Sequence, residues 1–234
     1  MIPLMVSILK VDQHTAHGIS LVALVFTGIV GSATYAYNGS VDVTASMLMA
    51  ATAIITAHYG VRFANFLSEW KLKQSFGGYL IFVSISLLFK PYFSHLHAPF
   101  VSWMKILLLL VTGAITGFLS GMMGVGGGAI MIPMMVLFAG FGQHLAQGSS
   151  LLAMVPAGCV GAYTHWILGN VRTSVLRGLI PGIFIGTLLG ATFAHFLSDI
   201  ALRSLFAVTL AWMGVHALRA KRSSSGILSP SCRK

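Results

Sequence analysis

Three consecutive glycines, Gly126-Gly127-Gly128, follow Gly121 and Gly124 and precede Pro133 inside an otherwise apolar stretch. Glycine and proline together break a helix or fold it into a hairpin. Backbone polar groups opened at membrane depth persist only where protein buries them or where they line a wet cavity. A half-helix beginning near Gly128 would aim free N–H groups and the positive end of its dipole into such a cavity, an arrangement that suits an anion. Close packing by small residues explains Gly113, Gly117 and Gly121 at fourfold spacing, but it explains a run of three glycines poorly. A phosphate-cradling loop is excluded, because no Lys-Ser/Thr pair follows the glycines and no strand precedes them.

Hydroxyls and imidazoles supply the remaining chemistry. Ser149 and Ser150 follow Gly148, and Ser20 follows Gly18 in the same relative place. Each serine reads as a hydroxyl donor to an oxyanion or as a helix N-cap, and the two roles are compatible. Gln13-His14 and Gln143-His144 precede these segments and read as loop residues capping helix ends, with a gate element as the alternative. His58, His165, His195 and His216 lie within or near apolar runs, where ionisable groups are functional candidates. His165 stands out, since it shares the helix begun by the serine pair. Asp12, Asp42, Glu69 and Asp199 all fall in or beside expected loops. A proton relay would therefore have to use histidine. Cys159 and Cys232 have neither disulfide-framework nor zinc spacing, so neither a metal nor a cofactor is expected.

These residues are carried by a membrane protein. With 56% hydrophobic and 8% charged residues and a mean hydropathy of +0.89, the chain reads as all-α and polytopic. Apolar runs predict helices near 1–9, 18–37, 43–65, 74–90, 102–120, 127–141, 148–167, 173–196 and 202–218. The formal charge of +10 is no nucleic-acid footprint, because most Lys and Arg flank helix ends. With the C-terminus in the cytoplasm, only Lys90, Lys105 and Arg203 of the 14 basic residues fall outside. Arg172 and Arg177 then read as ordinary topology determinants, with attraction of anions to an inner vestibule as the alternative.

The chain also repeats itself. Met1-Ile2-Pro3 falls on Met131-Ile132-Pro133, Gln13-His14 on Gln143-His144, and the 130-residue register holds for about 90 residues. Equivalent loops carry opposite charge bias: Asp42 against Arg172 and Arg177, Lys71 and Lys73 against Asp199 and Arg203. Two inverted-topology repeats are therefore expected, with a Gly-rich broken helix or hairpin in the second. The first spans 1–90 and lacks its own glycine hairpin half. Residues 91–101 form a linking loop, 102–218 the second repeat and 219–234 a basic cytoplasmic tail.

Gly117-Phe118-Leu119-Ser120-Gly121, Gly124-Val125-Gly126-Gly127-Gly128 and Met131-Ile132-Pro133 together resemble the signature of the TauE/SafE family of membrane transporters. Ala146-Gln147-Gly148-Ser149-Ser150-Leu151 resembles the Gly-Thr/Ser-Ser element that follows it, and Ala16-His17-Gly18-Ile19-Ser20-Leu21 is its first-copy equivalent. The resemblance implies a bacterial inner-membrane permease that exports sulfite or small organosulfonates. Gly126, Gly127, Gly128, Ser149, Ser150, Ser20 and His165 would bind substrate. Gly121, Gly124, Pro133, Gly18 and Gly148 would serve as structural or hinge positions. A small anion, the lipid bilayer and a second copy of the chain are the expected partners. Two departures stand out: Ile19 replaces the hydroxyl found at Ser149, and Met1 aligns inside the motif. They admit a truncated or non-transporting form. An intramembrane Ser hydrolase centred on Ser120 is the rival chemistry, though Phe118 occupies the glycine position its motif requires.

Overall fold

The computed structural model describes residues 13–63, 69–93, 102–123, 127–167 and 173–219, which form eight α-helices and no strand. In order these are α1 (Gln13–Tyr37), α2 (Val43–Phe63), α3 (Glu69–Phe93), α4 (Ser102–Met123), α5 (Gly128–Leu137), α6 (Gln143–Ile167), α7 (Thr173–Phe196) and α8 (Asp199–Arg219). Six of them, all but α3 and α5, carry apolar stretches of 18 to 21 residues, enough to cross a bilayer. The apolar part of α3, Gln74–Lys90, is shorter. Helix α5 has 10 residues; at about 1.5 Å per residue that is roughly half a crossing. The expected helix at 1–9, residues 94–101 of the expected 91–101 loop and nearly all of the 219–234 tail lie outside the described residues; residues 91–93 of that loop instead extend α3.

Helices α1, α2 and α3 begin at 13, 43 and 69, while α6, α7 and α8 begin 130 residues later, at 143, 173 and 199. α1 and α6 pack antiparallel: Tyr35 Oη donates to Gln147 Oε1 at 2.5 Å, Gly28 lies against Val155, and Leu24 lies against Gly158. This contact is centred near Phe26 and Pro156, themselves 130 apart. α3 and α8 are antiparallel too, with Gly77 against Gly214 and Ser84 Oγ donating to the Ala207 carbonyl at 2.7 Å. α1 runs parallel to α7, and α2 packs on α6.

Helix α4 lies parallel on α2. Gly113 closes on Met49, Gly117 on Ala53 and Gly121 on Ala57, leaving no room for a methyl group at any of the three. Thr52 Oγ1 donates across this contact to the Leu110 carbonyl at 2.9 Å. Gly127, the N-cap of α5, touches Thr116 of α4, and Gly128 faces Met154 near the middle of α6. From there α5 runs toward the α6 N-terminus, ending in a turn where Gly140 takes the left-handed conformation (φ 75°) that glycine tolerates best. Met131, Met135 and Val136 of α5 are fully buried and pack in one core with Met49, Leu80, Leu87 and Ala153. Pro133 sits inside α5, in its second turn, where its missing N–H leaves the Ala129 carbonyl without an intrahelical partner.

Four helices start earlier than expected, α3 at 69 rather than 74 and α8 at 199 rather than 202 among them. α6 begins at 143 rather than 148, and α1 at 13 rather than 18. Gln143 and His144 are thus first-turn residues, not loop residues. The cause is a carboxylate from another element: Asp199 Oδ1 accepts the Gln143 N–H at 2.6 Å, supplying the cap that the local sequence lacks.

Candidate functional site

At the level where α5 begins, five helices enclose a small cavity of about 10 Å³, room for roughly one water molecule. Leu24 of α1, Ala53 of α2, Thr116 and Ser120 of α4, and Met154 and Ala157 of α6 line it, together with Gly127 at the α5 N-cap. It sits at the centre of the antiparallel α1–α6 pair, since Leu24 and Gly158 are among its walls. None of its lining side chains is charged.

Thr116 is the informative wall residue. Threonines in helices commonly donate to the carbonyl four residues back, as Thr112 does to Leu108 at 2.7 Å and Thr56 does to Thr52 at 3.0 Å. Thr116 is 1% exposed, yet its hydroxyl has no partner among the described residues. A buried hydroxyl left unbonded costs about 1–3 kcal/mol. The first turn of α5 has no side-chain cap either; the Ile130 and Met131 N–H groups donate to the Gly127 carbonyl at 3.0 and 2.9 Å, and the Gly128 and Ala129 N–H groups have no acceptor among the described residues. The arrangement therefore concentrates neutral hydrogen-bond donors, with the positive end of a short helix dipole, at an uncharged point in the membrane.

The predicted site residues are only partly brought together. Gly127 lines the cavity and Gly128 adjoins it, with a methyl group there reaching 2.7 Å from Met154 Cε. Gly124 and Gly126 lie outside the described residues. Gly121 belongs to the α2–α4 contact. Ser149 and Ser150 lie in the second turn of α6, so neither is its N-cap. Both are fully buried and engaged elsewhere. Ser149 Oγ accepts the Asp42 N–H at 2.8 Å, and Ser150 Oγ donates to the Gln147 carbonyl at 2.9 Å. Gly148 lets the Ser40 carbonyl approach α6, and the same stretch of chain is held by Ser46 Oγ, which donates to the Ser149 carbonyl at 3.0 Å. Ser149 is thus a clamp on the 38–42 loop, about one and a half turns from Met154. Gly18 is buried and Ser20 half-buried on α1. His165 is on α6, and its side chain is not among those described. Thr116, Met131 and Met154 are cavity residues that the sequence reading missed. The only signal for Thr116 was its place between Gly113 and Gly117.

A second polar cluster marks the α6 N-terminus, about 16 Å along the helix from Met154. His144 has an acceptor at each ring nitrogen: Asp199 Oδ1 at 3.4 Å from Nδ1 and the Ala194 carbonyl at 3.1 Å from Nε2. It stacks on His195, whose ring also touches Tyr35. Gln143 beside it is fully buried, and neither of its amide atoms is hydrogen-bonded among the described residues. Lys90 Nζ donates to the Phe141 carbonyl at 3.4 Å nearby. Sequence reading singled out His195 as an intramembrane imidazole, but not its stacking on His144.

The cavity holds no base for Ser120. Its walls contain neither histidine nor carboxylate, so nothing there can activate a serine nucleophile.

Comparison with known proteins agrees with that reading. The model of the family described as sulfite exporter TauE/SafE matches residues 1–217. Probable membrane transporter protein YunE of Bacillus subtilis (strain 168) is 26% identical over 201 residues, covering 77% of this chain and 72% of that protein. Probable membrane transporter protein YdhB of the same organism is 23% identical over 222 residues, 93% of this chain and 89% of that protein. A probable membrane transporter protein of Haemophilus influenzae is 34% identical over 99 residues, 36% of this chain and 38% of its own. No solved structure matches the chain.

Proposed function

The chain belongs to the sulfite exporter TauE/SafE family of multi-pass membrane transporters, and on that premise we propose that it moves small anions, sulfite or organosulfonates, through the cavity at the α5 N-terminus. The single observation that carries this reading is Thr116, whose buried hydroxyl has no partner among the described residues and whose methyl group lies against Gly127 at the start of a half-helix. A tetrahedral or pyramidal oxyanion presents several acceptors, and Thr116, Ser120 and the α5 amides are donors converging from two sides. A neutral donor set holds such an ion without trapping it, as a carrier must. Metabolite phosphates with larger organic bodies fit less well in a seat this narrow.

The transport mechanism follows from the duplication. The matched helix starts, the antiparallel α1–α6 and α3–α8 pairs, and the position of the cavity at the α1–α6 midpoint support two repeats related by an axis in the membrane plane. In this arrangement Gly127 caps the start of α5 against Thr116 of α4. Rocking one repeat against the other opens the seat to each side in turn. At about 10 Å³ the seat is closed in the present conformation, and substrate entry requires α4–α5 to move relative to α1 and α6. A cytoplasmic C-terminus in the bacterial inner membrane is the orientation that the basic loops support.

The test is anion efflux from cells carrying Gly127→Leu or Gly128→Leu. Both variants insert normally and lose flux, because the new side chain fills the seat. Normal export by either variant would remove the glycine turn from the pathway.

A further inference from the structure

Both ring nitrogens of His144 face acceptors on other helices. Asp199 Oδ1 of α8 lies 3.4 Å from Nδ1, and the Ala194 carbonyl of α7 lies 3.1 Å from Nε2. A neutral imidazole has one N–H and can serve only one of them, whereas an imidazolium donates to both. The arrangement is therefore complete only when His144 carries a second proton. Asp199 then gains an ion pair beside the Gln143 N–H that it accepts at 2.6 Å.

The surrounding groups limit that charge to one proton. His195 of α7 stacks on His144 with ring centroids 5.4 Å apart, and its Nε2 is buried with no partner among the described residues. A proton there would meet no acceptor and would set one imidazolium against another. Tyr35 of α1 touches the His195 ring and donates to Gln147 of α6. Lys90 of α3 lies within electrostatic reach of Asp199 and Arg203 of α8. Asp42, before α2, is turned to its own helix, where Oδ1 accepts the Ala45 N–H at 2.9 Å. Asp199 is thus the one described carboxylate in the cluster.

These contacts tie four helices together at one end of the α1–α6 pair, whose middle walls the cavity. His144 joins the first turn of α6 to the last turn of α7 and the start of α8, and His195 and Tyr35 extend the tie to α1. Loss of one N–H frees α6 from either α7 or α8. The pattern also recurs in the sequence. Gln13-His14 and Glu69 stand 130 residues before Gln143-His144 and Asp199, at the same places in α1 and α3. In an inverted repeat the two sets stand at opposite membrane faces, where no single substrate touches both and where gates belong. Asn65 stands in the place of His195, so the second imidazole is particular to the later set.

We infer that His144 is a proton-binding site that locks the outer ends of α1, α6, α7 and α8, shutting the passage at this face when the proton is bound and opening it when the proton is lost. The inference rests on the two-repeat transport reading above and adds a proton to the anion as a ligand. The shut form binds the extra proton, so rising pH favours opening, by up to about tenfold in the open-to-shut ratio per pH unit.

Ser32 lies one turn inward from Tyr35 on α1 and is 7% exposed, so a thiol there reports opening. In the full chain, Cys159 and Cys232 are replaced by Ser and Ser32→Cys is introduced. Labelling by a charged, membrane-impermeant maleimide is followed in phosphatidylcholine–phosphatidylglycerol nanodiscs between about pH 5 and 8, the range in which an imidazole changes charge. Each rate is divided by that of the same protein unfolded in SDS, which corrects for the thiol's own ionisation. The normalised rate is expected to rise at least about tenfold across this range. His144→Gln, which cannot take the proton, should label fast throughout. Asp199→Asn, which keeps the cap on Gln143 without the charge, should flatten the rise, and His195→Gln should retain it. No rise, a rise that survives His144→Gln or is undiminished in Asp199→Asn, or one that His195→Gln abolishes, would overturn the inference. Labelling needs no substrate, so failure of the anion proposal leaves this result standing, and failure here leaves the anion proposal intact.

Discussion

Replacing Thr116 by valine separates a functional hydroxyl from a structural one, because the two roles predict opposite signs. Valine reproduces the shape of threonine and removes only the polar atom. Thr116 Oγ1 is buried and unbonded among the described residues. Its removal therefore relieves a desolvation cost of about 1–3 kcal/mol, and the empty protein should become more stable, not less. Substrate loses one hydrogen bond to a charged group, worth about 1.5–3 kcal/mol, so affinity should fall roughly 10- to 150-fold. Thermal unfolding in detergent reads the first effect, and the substrate concentration that half-saturates efflux from proteoliposomes reads the second. A variant with a lower melting temperature and unchanged transport would refute the argument, since it would mean that the hydroxyl is bonded in the resting protein and idle in transport.

Other substitutions probe the scaffold. Gly117→Ala forces a methyl group against the Ala53 carbonyl and should lower the detergent melting temperature through about 1–3 kcal/mol of overpacking, whereas Gly178→Ala, which meets nothing, should not. Asp199→Ala removes the cap on the Gln143 N–H and should cost about 1 kcal/mol, measured by thermal unfolding; Asp199→Asn keeps an acceptor there and recovers much of the loss. Tyr35→Phe breaks the bond to Gln147 across the α1–α6 contact and should destabilise by about 0.5–1.5 kcal/mol in the same assay.

Helix number and type were legible in the sequence because lipid leaves the backbone few alternatives, so apolar length alone places most crossings. The duplication was equally legible, and the helix starts repeat it residue for residue. Two features were hidden, both for the same reason: they depend on atoms far away in the chain. The extra turn at the start of α6 is capped by Asp199, 56 residues on, so Gln143 and His144 look like loop when read locally. Ser149 looks like an N-cap until α6 is seen to start at 143 and Asp42, 107 residues earlier, to donate its N–H to the Ser149 hydroxyl. Thr116 went unnoticed because a lone threonine in an apolar helix usually satisfies itself on the preceding turn, as Thr112 does. The glycine run pointed to the end of α5 that borders the cavity. The donor that makes the region chemically interesting came from the facing helix.

The most direct measurement of the central proposal is solute efflux from liposomes containing the purified full chain, loaded in turn with sulfite, sulfate and small alkyl sulfonates. The account predicts saturable efflux of sulfite or a sulfonate above protein-free liposomes, competed by the other accepted anion and weakened by Thr116→Val. Efflux no faster than from protein-free liposomes for every anion tested would contradict it and leave a transporter fold that does not carry these anions.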